Sequence, residues 1–446
     1  MPRFSKHRAC DDFHQTARAI SRRQFVGRSL GAGLSVYMAA NTPLARILEA
    51  AETAAAGAPG APVLVSVFLP GGCDLLSTIA PLAQAGKLSD LRGKLALRDV
   101  PALAGESGML AHPSLSAGLG GGVAGLFAAG KVGFLPGIDY ANPDLSHFHS
   151  RHFWETGLIT HNDAPGWLGR WLDRHGVRDN PLQGLSVNGG LSPLLRTAGA
   201  PVAAIGAPGD AQLYMTGVWG DQADQAAATF ARLAGAPISA RPGPAAAATA
   251  ARLTKQVADH LAPYQAKDDV PNAALVPSVA YPEKSDFGDA LRNLAGMLSL
   301  PLGVRVASVQ APGDFDTHDN QPEELGKALA ELSSGLAAFQ ADLEARGLAD
   351  RVLTLVWSEF GRRPEANESD GTDHGAGGIA WVQGTRARGG VLTDYPDLGR
   401  LDREGNLAVT VDFRRVYASL LEQWLGTDAT EVIPNAGAFG RLQVVR

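Results

Sequence analysis

Cysteine is nearly absent. Two occur in 446 residues, Cys10 and Cys73, so no disulfide framework can staple this chain. Basic residues are few as well, with 39 Lys and Arg against 45 Asp and Glu. Eight of those bases and three of those acids fall in the first fifty residues, leaving 31 against 42 and a net charge of −11 beyond them. No basic stripe is available to neutralise phosphates, which excludes nucleic acid as the main partner. No apolar run is long enough to span a bilayer, and neither an internal repeat nor a coiled-coil heptad pattern is present. What the chain does have is 45% hydrophobic residues, enough for one large core or two modest ones, and 53 glycines and 28 prolines to build many loops. Alternating strand and helix patterns favour a single α/β domain.

The N-terminus opposes the cytosolic address that so little cysteine would suggest. Ser21-Arg22-Arg23-Gln24-Phe25-Val26 resembles the twin-arginine export motif, and residues 27–40 behind it are weakly apolar and too short to cross a membrane. Residues 1–56 read as signal peptide and linker, with cleavage in the Ala-rich 50–61 region, and 57–446 as one domain. Passengers of that pathway travel folded, which would let a metal be loaded before export. The expected location is periplasmic or secreted, the partner is the twin-arginine export machinery, and the processed protein is not integral to the membrane.

Within the domain, apolar runs end abruptly in polar groups. Residues 63–69 form a buried run that opens into Pro70-Gly71-Gly72-Cys73-Asp74. Residues 303–310 open into Asp314, Asp316, His318 and Asp319, and residues 352–357 into Ser358, Glu359 and Gly361. The polar loop 362–370 then brings Asp373 and His374 back to the same edge. Parallel sheets place ligands at the C-terminal ends of their strands, and carboxylates and imidazoles delivered there together suggest a metal site. Further helices are expected over 115–130, from Leu145, at 167–171, and over 286–300, 322–347 and 410–425. Strands are expected at 132–136 and, as an edge, at 379–383. Residues 201–285 read as a cap or surface excursion. His147, His149 and His152 cannot share one helical face, and His161 and His175 read as structural.

The motifs Pro70-Gly71-Gly72, Ser146-His147-Phe148, Asp316-Thr317-His318, Ser358-Glu359-Phe360-Gly361-Arg362 and Gly371-Thr372-Asp373-His374-Gly375 are similar to those of an exported bacterial family, domain of unknown function 1501. Their order resembles the alkaline phosphatase/sulfatase superfamily. That resemblance implies a three-layer α/β/α sandwich, alkaline phosphatase-like, with a mostly parallel central sheet. It implies one or two divalent ions, zinc or manganese, held by Asp74, Asp314, His318, Glu359, Asp373 and His374. Asp314, His318 and His374 match the ligands of one ion, and Asp74 and Glu359 those of a second. The superfamily places a histidine where this chain has Phe360, which puts the second ion in doubt. Counting back nine residues from Thr156-Gly157 puts His147 at the nucleophile position, with Ser146 one residue earlier, so both are catalytic candidates. Arg151 and Arg362 are candidates for binding substrate oxygens.

Two functions remain open on this reading. One is an exported metal-dependent hydrolase of phosphate or sulfate esters, acting on an anionic small molecule or polymer. The other is a non-catalytic periplasmic or cell-surface binding or assembly protein on the same scaffold.

Overall fold

The computed structural model describes residues 35–37, 60–103, 108–211, 221–235, 242–267 and 270–446. The twin-arginine motif and most of the expected cleavage region lie outside them. Ser35–Tyr37 pairs antiparallel with Val202–Ala204 at one end of the main sheet.

Val63–Leu69 is the axis of that sheet. Every residue of it is buried, and its side chains alternate between two cores as strand geometry requires. Val63, Val65, Val67 and Leu69 face one, and Leu64 and Phe68 the other. Val306–Gln310 lies parallel on one side and Val352–Ser358 parallel on the other. Gly184–Ser186 and Val202–Ala204 extend the first side, so residues expected in the cap supply a sheet strand. On the second side come Gly378–Gln383, then Val132–Asp139, flanked by Gly390–Val391 and Val411–Asp412.

Gly378–Gln383 is internal rather than an edge, and antiparallel to both neighbours. Two reversals of direction leave Val132–Asp139 parallel to the centre, so four long strands release their chains at one end. The sheet is otherwise mostly parallel and is covered on both faces, an α/β/α arrangement.

Helix Gln321–Ala345 covers one face, burying Leu325, Leu329, Leu332, Leu336, Phe339 and Leu343 at three- and four-residue spacing. Helices His147–Thr156, Trp167–His175 and Phe413–Gln423 cover the other. There Trp154 stacks on Phe413 and Trp357, with ring centres 4.5 and 5.4 Å apart. Each buried aromatic is worth about 1.5–3 kcal/mol, and this cluster fixes the helix that carries His147. The helix expected over 115–130 is shortened to Gly122–Ala128, because glycines 118, 120, 121 and 122 all adopt positive φ. Among the described residues no helix is long and apolar enough to cross a membrane.

Candidate metal centre

Four side chains meet at the C-terminal edge of the sheet. Asp316 and His318 come from the loop after Val306–Gln310, and His147 opens its helix. His374 returns on a two-residue ladder pairing Gly361–Arg362 with His374–Gly375. The His374 Nε2 lies 3.1 Å from Asp316 Oδ1, and His318 Nε2 is also 3.1 Å from that oxygen. The two Nε2 atoms are 3.0 Å apart. His147 Nε2 approaches the other oxygen, Oδ2, at 3.3 Å.

The opposite nitrogen of each ring is anchored. His147 Nδ1 lies 2.8 Å from Glu359 Oε1, His318 Nδ1 3.3 Å from Asp373 Oδ1, and His374 Nδ1 2.9 Å from the Leu145 carbonyl. A carbonyl has no proton to give, so His374 Nδ1 is the donor there. The ionised carboxylates impose the same tautomer on the other two rings. Neutral, all three rings would then aim Nε2 lone pairs at one carboxylate, and two of them at each other. That arrangement demands positive charge at its centre.

Metal-bound histidines have this same arrangement, with the far N–H given to a carboxylate or carbonyl. Ligands at zinc–nitrogen distances in a tetrahedron stand about 3.3–3.4 Å apart, close to the spacings seen here. One ligand atom from each of His147, Asp316 and His374 lies within 4.8 Å of the others, a set that fits a borderline divalent ion, with His318 beside it.

Protonation reflects the same demand. Burial opposes charge on His147, but hydrogen bonds with Asp316 and Glu359 push it up to about 9. Burial would raise Asp316; the three histidines and the Arg362 guanidinium instead hold it far below the usual carboxylate range. Glu359, whose burial also acts upward, is held down chiefly by His147. In His374 burial wins and favours the neutral ring.

Several expected roles change. Asp314, not Asp316, was the anticipated ligand; it is exposed and accepts the Asp316 backbone N–H at 2.9 Å. Phe315 and Thr317 point inward in the alternating loop, so Asp316 and His318 share the outward side. That alternation was the signal in the sequence. Asp74, expected on a second ion, is buried against Arg92, and Gln321 Nε2 donates to it at 2.5 Å. The same glutamine receives the hydroxyls of Thr317 and Thr372, at 3.0 and 2.6 Å, and so ties Asp74 beneath the site.

Glu359 does not face the shared centre. It accepts Gly71 N–H at 2.9 Å and Gly72 N–H at 3.2 Å, and orients His147. Asp373 likewise orients His318. Both glycines have positive φ, and a Cβ on Gly71 would sit 2.2 Å from the Asp316 nitrogen. Phe360, buried, lies 4.8 and 4.7 Å from the rings of His147 and His374 and packs against both.

Arg362 is wholly buried and donates to carbonyls of Gly72, Thr372 and Phe315 as well as to Asp316, a strap rather than a substrate ligand. Arg151 lies at 4.5 Å over Phe68 and pairs with Glu155 at 2.9 Å. It also lines a polar cleft of about 230 Å³ with Ser186, Asn188 and Gln310. Ser146 is the N-cap residue of its helix but makes no side-chain capping bond, so its hydroxyl stands beside His147 uncommitted to the helix. Cys73 is buried, and burial pushes its thiol up to about 12, too high for a nucleophile or ligand.

The sequence profile of DUF1501, a family of proteins of unknown function, matches residues 137–438. The chain belongs to this family. The matched span contains His147, Asp316, His318, Glu359 and His374, though not the Gly71-Gly72 turn. No curated protein matches the chain. Among solved structures, the lipoteichoic acid synthase LtaP from Listeria monocytogenes is similar over 87% of this chain and 77% of its own, with 9% identity and a TM-score of 0.34. That likeness is too distant to transfer any residue's role.

Proposed function

We propose that this protein is an exported, metal-dependent hydrolase of phosphate or sulfate esters. The observation that carries the reading is the convergence of three anchored imidazole Nε2 atoms on Asp316, next to the uncapped hydroxyl of Ser146. His147, Asp316 and His374 would hold one divalent ion, zinc or manganese, with His318 against Asp316 and His374 at its side. Such an ion polarises an ester oxygen and stabilises charge on the leaving oxygen. Ser146 is the nucleophile, set at a helix N-terminus whose free N–H groups favour an anionic group. Its attack releases the hydroxyl proton, which solvent can take up at this half-exposed position. Arg151, in its cleft, would meet the part of an anionic substrate that extends away from the ion. Export through the twin-arginine machinery to the periplasm or beyond follows from Arg22-Arg23.

A second reading, a binding or assembly protein whose ion only holds the loops, is favoured by Phe360 in the place of a second ion's histidine and by the full engagement of Arg362 with backbone. Hydrolysis of 4-nitrophenyl phosphate and 4-nitrophenyl sulfate by zinc- and manganese-loaded protein separates the two. The hydrolase reading expects turnover of one ester class that is lost in Ser146→Ala with metal content intact. Fully loaded protein no faster than its Asp316→Asn variant on either ester would establish the second reading.

A further inference from the structure

Helix His147–Thr156 carries two histidines that leave in opposite directions. Residues two apart on an α-helix are separated by about 200° around its axis, so His147 enters the buried centre while His149 faces solvent. His149 is not isolated there. Its Nδ1 is 2.9 Å from Asp144 Oδ2, and its ring centre is 4.4 Å from that of His161, the planes crossing at 68°. One ligand atom from each of Asp144, His149 and His161 lies within 4.8 Å of the others, and all three residues are exposed.

We propose that Asp144, His149 and His161 form a second, solvent-facing site for a divalent transition-metal ion. Two imidazoles and one carboxylate suit zinc, cobalt, nickel or copper, and leave positions for water. The three residues come from separate segments, and each segment is held. Asp144 sits in a tight turn with Asn142 and Leu145 in the left-handed region, φ 54° and 60°. Its N–H donates to the Tyr140 hydroxyl at 2.8 Å, and its other carboxylate oxygen accepts the Ser146 N–H at 3.2 Å. His161 packs on Phe153 of the helix, ring centres 5.2 Å apart. The neighbouring loop is tied to the helix by His152 Nε2, 3.0 Å from the Asn162 carbonyl. Exposure lets a hydrated ion arrive without any opening of the fold.

An ion at this site has a consequence for the buried centre. It would clamp the 141–146 turn to the loop holding His161. That turn presents Ser146, and its Leu145 carbonyl orients His374. The outer ion is therefore a positioning element for the inner one, and its occupancy follows metal supply in the exported environment.

The test is metal stoichiometry on the full chain. Protein stripped with a chelator is dialysed against cobalt(II) or zinc(II), and bound metal is measured by elemental analysis alongside the cobalt d–d absorption. Wild type should bind one equivalent more than His161→Ala and one more than His149→Ala, with unchanged circular dichroism. Asp316→Asn should lose a different equivalent with a different absorption band, so the two sites are told apart. His161→Ala protein that keeps every equivalent and the full cobalt spectrum of wild type overturns the outer site, whatever the fate of the inner one. Loss of the same single equivalent in both His161→Ala and Asp316→Asn also overturns it, because the sites would not then be separate.

Discussion

His318 and His374 stand 56 positions apart in the chain and bring their Nε2 atoms to 3.0 Å. Both rings have Nδ1 engaged by acceptors, so positive charge between them is what allows the approach. A metal bound only by the folded state stabilises that state. His374→Ala should therefore lower Tm more in saturating zinc than in chelator, by differential scanning fluorimetry. An equal loss in both conditions would mean that His374 is packing alone.

Glu359 acts through His147. Glu359→Gln keeps the shape but removes the ionised acceptor of His147 Nδ1. Orienting partners of this kind are worth about 10–100-fold in metal affinity. Competition with a chromophoric chelator should register that loss, and unchanged affinity would remove Glu359 from the centre.

Asp74 is structural, and pH reports it. Burial alone would raise its carboxyl, but the charge and hydrogen bonds of Arg92 hold it below its ordinary 3.8. A folded value below the unfolded one gives stability that is fully present above the unfolded value and lost as pH falls through the folded value. Wild type should lose stability in that acid window, and Asp74→Asn should lose less there. At neutral pH the substitution should cost about 3–5 kcal/mol, since it leaves Arg92 buried and uncompensated. Urea denaturation at several pH values checks both, and metal content should not change.

The proposed export is tested at the arginine pair. Replacing Arg22 and Arg23 together with Lys should leave precursor in the cytoplasm with the domain folded. Normal periplasmic yield of the double-Lys protein would contradict the leader reading.

Much of this was legible because buried strands advertise themselves. Val63–Leu69 and Val352–Ser358 are unbroken apolar runs, and the polar groups just after them had to collect at one edge. That logic places His318 and His374 at the same edge, where the structure also has them. Family spacing points to Asp314, whereas the in-and-out alternation of Phe315 and Thr317 puts Asp316 with His318 at the centre. Glu359, Asp373 and Asp74 face partners that local sequence does not reveal. A carboxylate near a metal site can face the ion, orient a ligand or neutralise a buried arginine, and only the partners Gly71, His318 and Arg92 decide which. The Leu145 carbonyl was out of reach, because backbone acceptors leave no mark in a sequence. Gly378–Gln383 looked like an edge because nothing local reveals which strands will flank it.

Asp316 against Asp314 is the most direct test of the centre. Metal content of folded wild-type protein, Asp316→Asn and Asp314→Asn should be measured by elemental analysis after identical purification. Asp316 meets all three histidines, whereas Asp314 is exposed and accepts the Asp316 backbone N–H. Asp316→Asn should lose one ion per chain, while Asp314→Asn keeps the wild-type content. Full metal in Asp316→Asn, or loss in Asp314→Asn alone, would contradict the site.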